Sequence, residues 1–342
     1  MRKYSLQILS VLIFFASFHL SCNKKKDKLV TRSFYYWKSV FKLEKPETKS
    51  LQDLGIKNLY VKFFDVVWNA ELNKAMPVAT INFQQAVPAE ITITPVVFIT
   101  NETLQQVSLI QIDSLSENIT TLLTRLSQIL ASPFSNEVQI DCDWTAKTKE
   151  KYFLLLASLK KKKYYDGKIL SATIRLHQLK FIGESGVPPV DKGLLMCYNM
   201  GNLYRPETIN SILDPTELKK YIKYLSIYPL KLDVALPLFD WWVWIRDNKY
   251  KGLIHSDDIK LPEVSGKKVF FQNDTAINGF NFERNDWLRY ENSPAESIIE
   301  TTRLLKHKLD SDSINVILYH LDQNNLSKYS THELESFFDG IR

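Results

Sequence analysis

Eight short β-rich runs alternating with helical patterns constrain the fold of this chain more than any other feature. They are Arg32–Val40, Lys57–Phe64, Ile91–Thr100, Glu137–Asp143, Lys168–Leu176, Gly193–Met200, Leu232–Phe239 and Ile314–His320. Strands that alternate with helices are covered by them, which implies a parallel sheet. Eight is the number at which such a sheet closes into a (β/α)8 TIM barrel.

The helical segments are legible by period. Leu115, Ile119, Leu122, Leu123, Leu126, Ile129 and Leu130 mark one face after the third run, and Tyr152, Leu155, Leu156 and Leu159 another after the fourth. A 3.6-residue spacing of this kind is that of an amphipathic helix. Asp214-Pro215-Thr216-Glu217 reads as an N-cap, a proline at the first helical position and an acid at the third. Ser293-Pro294-Ala295-Glu296 repeats the pattern before Ile298, Thr302 and Leu305. The stretch from about 240 to 292 is too long for one loop and contains strand-like pieces such as Lys268–Gln272. It reads as a small β-rich insertion between strands 7 and 8.

At the N-terminus, Arg2 and Lys3 precede an uncharged apolar run from Leu6 to Leu20, too short to span a membrane comfortably. Ser21-Cys22 follows, as at a bacterial lipoprotein cleavage site. The expectation is a signal peptide over 1–21, a lipidated tether over 22–31 carrying the lipid on Cys22, and a barrel over 32–342. That places the protein in the bacterial cell envelope, anchored to a membrane. The alternative is an ordinary cleaved signal peptide in which Cys22 is incidental.

The formal charge is +6, and residues 1–21 contribute two of those positive charges. Lys24–Lys28 and Lys160–Lys163 hold much of the rest without interleaved aromatics, which argues against nucleic acid as a partner. With 10 glycines and no phosphate-cradling loop, nucleotide chemistry is not indicated. Cys142 and Cys197 sit in apolar runs and read as core thiols. The 6 histidines show no metal-binding spacing, so no metal or other cofactor is expected.

In a barrel of this kind the site lies at the C-terminal ends of the strands. Those ends carry Trp37, Asp65, Asn101, Asp141, Asp143, Arg175, His177, Tyr198, Asn199, Asp240, Trp241, His320 and Asp322. Aromatic faces stack on sugar rings, and carboxylates bind hydroxyls or move protons. Asp141 and Asp143 stand two apart, so within one strand both point to the same side. Crowded carboxylates tend to share a proton, which raises one pKa and tunes an acid. The alternative is a pair of structural aspartates bonded to neighbouring strands. Three tryptophans within Trp241–Trp244 cannot all face one core direction. His177 and His320 read as ordinary pocket or core residues.

These strand ends resemble those of the chitinase-like glycoside hydrolases of family 18. Ile140-Asp141-Cys142-Asp143-Trp144 resembles the end of that family's fourth-strand motif, and Leu195-Met196-Cys197-Tyr198-Asn199 its sixth-strand motif. Val234–Phe239 resembles the seventh-strand stretch, and Asp286–Ser297 the segment before the last helix. Against the family pattern, Thr145 stands where the catalytic glutamate belongs, Val138 replaces the first aspartate, and Asn199 replaces the sixth-strand aspartate. The chain also resembles an uncharacterised group of bacterial exported barrels that lack that glutamate.

The resemblance implies a barrel that binds carbohydrate, a glycan or cell-wall fragment, without the family's hydrolytic route. Asp141 and Asp143 would hold hydroxyls or an amide, with Tyr198 and Asn199 adding hydrogen bonds and Trp37 and Trp241 stacking. One alternative is an active glycosidase that pairs Asp143 with another acid, Asp240 or Asp65. Another is a structural envelope protein whose barrel mouth binds a protein partner, which a flat exposed Trp-rich patch would favour.

Overall fold

The computed structural model describes residues 28–130, 133–261 and 266–342. Cys22 and the expected signal segment lie outside the described residues. Eight strands form the ring: β1 Leu29–Tyr36, β2 Asn58–Asn69, β3 Thr92–Ile99, β4 Glu137–Asp141, β5 Ile169–Arg175, β6 Lys192–Met196, β7 Leu232–Pro237 and β8 Ser313–Tyr319. Each pairs in parallel with the next, and β8 pairs with β1, so the barrel is closed. β1 begins three residues earlier than the apolar run suggested, so Leu29–Thr31, expected in the tether, belong to the barrel.

Helices cover most of the crossovers. Ile112–Ile129 buries Leu115, Ile119 and Leu123 as the period required, although Ile129 is exposed. Lys149–Lys160 buries Tyr152, Leu155, Leu156 and Leu159. The β2–β3 connection carries no helix; Lys74–Val78 instead folds back antiparallel along the end of β2. Asp214 caps Pro215–Lys219 by accepting from the N–H groups of Thr216 (2.8 Å) and Glu217 (3.4 Å). Ser293 does not cap the helix Ala295–Lys306, because its hydroxyl donates to the Phe239 carbonyl (3.0 Å) and Pro294 takes the cap position.

The barrel interior is polar in layers, because alternate residues of a strand face one side. At the bottom, Glu137 of β4 accepts from Tyr60 of β2 (3.1 Å), Ser171 of β5 (2.6 Å) and Lys192 of β6 (2.8 Å). Lys192 also reaches Asp233 of β7 (2.6 Å), which accepts the Asn315 N–H of β8 (2.9 Å). The Asn315 amide closes the circuit on the Tyr60 hydroxyl (3.0 Å). One level higher, the Tyr35 hydroxyl donates to Gln139 Oε1 across the barrel. Asp141 follows at the top of β4.

Between β7 and β8 stands a four-stranded antiparallel sheet, in the order Lys249–His255, Trp241–Arg246, Trp287–Glu291, Lys268–Phe270, with a hairpin of Thr275–Ile277 and Phe280–Phe282. Strand alternation divides the tryptophans. Trp241, Val243 and Ile245 pack on the barrel core, while Trp242 and Trp244 cover a second small core around Ile254, Phe282 and Leu288. The buried Arg289 fastens the sheet to the β6–β7 loop. Its Nε donates to Glu291 (2.7 Å) and its Nη1 to the carbonyls of Arg205 (3.1 Å) and Pro206 (3.0 Å).

Candidate functional site

A cleft of about 540 Å³ opens at the C-terminal ends of the strands. Trp37, Phe98, Phe239, Trp241 and Tyr319 give it apolar faces, and Asp141, Asp143, Arg175, Tyr198 and Asn199 a polar floor. Trp37 follows β1 directly and packs edge-on to Tyr35 with ring centroids 5.4 Å apart. It also lies against Tyr319 at 5.5 Å and Phe98 at 6.4 Å. Trp37 is half-buried, so part of its surface is open to the cleft.

The two aspartates differ sharply. β4 ends at Asp141, so Asp143 lies in the following loop rather than in the strand. Asp141 is buried and accepts from the Thr173 hydroxyl (2.7 Å). Burial, with the nearby Asp143 charge adding to it, raises its pKa to about 6; Arg175 and the Thr173 hydrogen bond oppose the rise. Asp143 is half exposed and forms a fork with Arg175, Nε to Oδ1 and Nη2 to Oδ2, the latter at 2.9 Å. Both its oxygens thereby meet a guanidinium, a geometry that carboxylate and arginine satisfy together.

Tyr198 lies beneath these groups, and its ring packs against Tyr319 at 5.4 Å and Phe239 at 5.8 Å. Its hydroxyl is buried without a partner among the described residues, and so is Nδ1 of His320, which also lines the cleft. Burial pulls the His320 pKa down to about 4, so the ring is neutral at physiological pH. Asn199 is exposed and holds a left-handed backbone with φ 53°, a conformation asparagine tolerates better than most residues.

Other expected site residues are placed differently. Asp240 lines the cleft, but it accepts from Ser256, from the Tyr290 hydroxyl (2.7 Å) and from the Lys328 ammonium (2.7 Å). Its oxygens are occupied in joining the insertion to the loop after β8. Asp65 is not among the residues that line the cleft and pairs with Lys62 (3.0 Å), although its charge acts on Asp141 and Tyr319. β2 runs five residues beyond Phe64, with a register shift between Lys62 and Phe64, and a bulge of this kind changes which residues face the axis. Trp241 lines the cleft, yet it is buried and its indole N–H donates to Glu291 (2.9 Å). The Trp-rich strand is therefore no flat exposed patch. Thr145 is exposed and bonded to Thr148, outside the cleft lining. Every carboxylate lining the cleft is an aspartate.

Sequence reasoning missed several contributors, Tyr319 of the aromatic wall among them. Lys38 pairs with Asp322 (2.9 Å) and Glu47 (2.5 Å) at the rim. Phe98 and Asp257 also line the cleft. Phe98 was hidden inside an apolar run, and Asp257 in an insertion with no strand-end position to flag it. The fork between Arg175 and Asp143 was missed as well, since spacing along the chain does not reveal a partner on the neighbouring strand. Cys142 and Cys197 are free and buried. Among the described residues, no group of three or more His, Cys, Asp and Glu is placed to hold a metal ion.

No protein-family model matches the chain, and no curated protein matches its sequence. Solved structures match its fold. The Bacillus cereus spore cortex-lytic enzyme SleL is similar with a TM-score of 0.54 and 14% identity, over 92% of this chain and 75% of that one. The chitinase from Chromobacterium violaceum ATCC 12472 is similar at 0.52 and 11% identity, over 92% and 98%. The Ostrinia furnacalis Group II chitinase catalytic domain 2, solved as a mutant in complex with penta-N-acetylchitooctaose, is similar at 0.50 and 9% identity, over 91% and 96%. At these identities the likeness is one of fold alone, a (β/α)8 barrel that these proteins share with the chain.

Proposed function

We propose that this protein is a cell-envelope lipoprotein that binds carbohydrate in the cleft at its barrel mouth. One observation carries the reading: an aromatic wall of Trp37, Phe98 and Tyr319 stands over a polar floor of Asp141, Asp143, Arg175 and Tyr198. Sugar rings present apolar faces and hydroxyl edges, and such a site meets both. The chitinase-like fold of the barrel agrees with a glycan as ligand.

Tethering by a lipid on Cys22 rests on the signal-like N-terminus. The barrel's geometry suits it, because β1 starts at Leu29 on the end opposite the mouth. An anchored barrel would turn its cleft away from the membrane. Metabolic labelling with a fatty-acid analogue tests this: label is expected on the native chain and lost in Cys22→Ser. Labelling of that variant would contradict it.

Family-type hydrolysis lacks its acid, since Thr145 cannot donate the proton and lies outside the cleft lining. A hydrolytic reading survives on one observation, the buried Asp141, which holds its proton to about pH 6. A retention assay on immobilised glycans, run beside a turnover assay on soluble ones, separates the readings. Retention without product is expected, and Trp37→Ala should reduce it. Product formed by the native chain and abolished in Asp141→Asn would establish hydrolysis instead, and a folded chain retained by no glycan would sink both readings.

A further inference from the structure

The cleft floor is not electrically balanced. Asp141 and Asp143 face one guanidinium, and Arg175 spends its fork on Asp143. Asp141 accepts from the Thr173 hydroxyl and forms no ion pair among the described residues, although Arg175 lies near enough to act on it. Around the rim, Asp240 has Lys328 and Asp322 has Lys38. Asp257 accepts from the Asn324 amide (2.9 Å) and forms no ion pair among the described residues. The cleft therefore holds negative charge in excess, although the chain as a whole is formally +6.

A buried carboxylate without a counter-ion is costly unless a ligand completes it. Two further groups point to a ligand at the same place. Tyr198 and His320 line the cleft, and the buried Tyr198 hydroxyl and His320 Nδ1 have no hydrogen-bond partner among the described residues. His320 supplies no compensating positive charge, because burial keeps its ring neutral.

From this imbalance we infer that the cleft selects a glycan bearing a free amine, a glucosamine-type sugar, over its N-acetylated counterpart. The inference rests on the carbohydrate reading above and narrows it. An ammonium group offers three donors and one positive charge. Asp141, the outer lone pairs of Asp143 and the Tyr198 hydroxyl are acceptors on one floor, and one cation there balances two carboxylates against Arg175. An acetamide carries no charge, so it would leave Asp141 uncompensated. The aromatic wall would take the sugar ring in either case, which assigns the discrimination to the floor.

The test is isothermal titration of the native chain with glucosamine oligomers and with N-acetylglucosamine oligomers of matched length, at a pH just above the Asp141 titration. A charge-assisted contact of ordinary strength predicts roughly ten-fold tighter binding of the amine form. Asp141→Asn should erase that preference while the chain stays folded by circular dichroism, and Asp143→Asn gives an independent second variant. Equal or tighter binding of the acetylated oligomer would overturn the inference and leave the carbohydrate reading in place. Binding of neither oligomer, nor of any other glycan, would overturn both. A preference that persists in both variants would place the discrimination elsewhere and refute the assignment to the floor.

Discussion

The two ends of one barrel handle buried charge in opposite ways. At the bottom, Glu137 and Asp233 share Lys192, and Tyr60, Ser171 and Asn315 complete the hydrogen bonds within the protein. At the mouth, among the described residues, Asp141 has one hydroxyl partner, and the Tyr198 hydroxyl and His320 Nδ1 have none. The same strands supply both layers: β4 contributes Glu137 below and Asp141 above, and β5 contributes Ser171 below and Arg175 above. A saturated network is a structural element, whereas an unsaturated one in a cleft is a place for a ligand. The difference separates the stabilising half of this barrel from its working half.

The largest effect is expected at the bottom. Lys192→Met leaves Glu137 and Asp233 buried without their shared cation, and breaking such a pair costs about 3–5 kcal/mol. Chemical denaturation should show a loss of that size; a change below about 1 kcal/mol would mean that water already reaches the network.

At the mouth the sign reverses. Asp141 has a raised pKa in the folded chain, so the folded state binds its proton more tightly than the unfolded state does. Its contribution to stability is thus greatest below the ordinary aspartate range and falls as pH rises from about 4 to 6. Asp141→Asn keeps the shape and the Thr173 contact while removing this dependence. Stability at pH 7 should rise on the order of 2 kcal/mol, and the slope of stability against pH between 4 and 6 should flatten. A variant less stable than the native chain at neutral pH would show that Asp141 is already compensated.

A smaller effect is expected at the wall. Trp37→Ala should weaken glycan binding roughly ten-fold, the scale of one lost aromatic contact, with stability changing less than in Lys192→Met. Unweakened binding by the folded variant would move the ligand away from the aromatic wall.

The sequence reveals much of the barrel because its strands are nearly continuous apolar runs and its helices keep a 3.6-residue period, both properties of neighbours in the chain. The insertion was visible as an excess of length between Phe239 and Ile314, but its pairing was not, since Trp241 of one strand meets Glu291 of the other, far along the chain. The site was legible where position along a strand decides it, as for Trp37, Asp141, Tyr198 and Asp240. Asp65 stands off the cleft lining, after a register shift in β2 that cannot be seen in composition. Ser293 looked like a helix cap, yet its hydroxyl has a better-placed acceptor in the Phe239 carbonyl, 54 positions away. The charge imbalance at the mouth was beyond reach for the same reason, since it depends on which aspartate Arg175 pairs with.

The most direct test is the titration of Asp141 itself, followed through its side-chain carboxyl carbon by NMR, with and without a glucosamine oligomer. Free protein should show a midpoint raised to about 6 by burial and by Asp143. Bound ammonium should lower that midpoint, because a nearby cation favours the carboxylate. A midpoint that stays fixed or climbs when the oligomer saturates the protein would contradict the claim that the mouth of this barrel is completed by a cationic sugar.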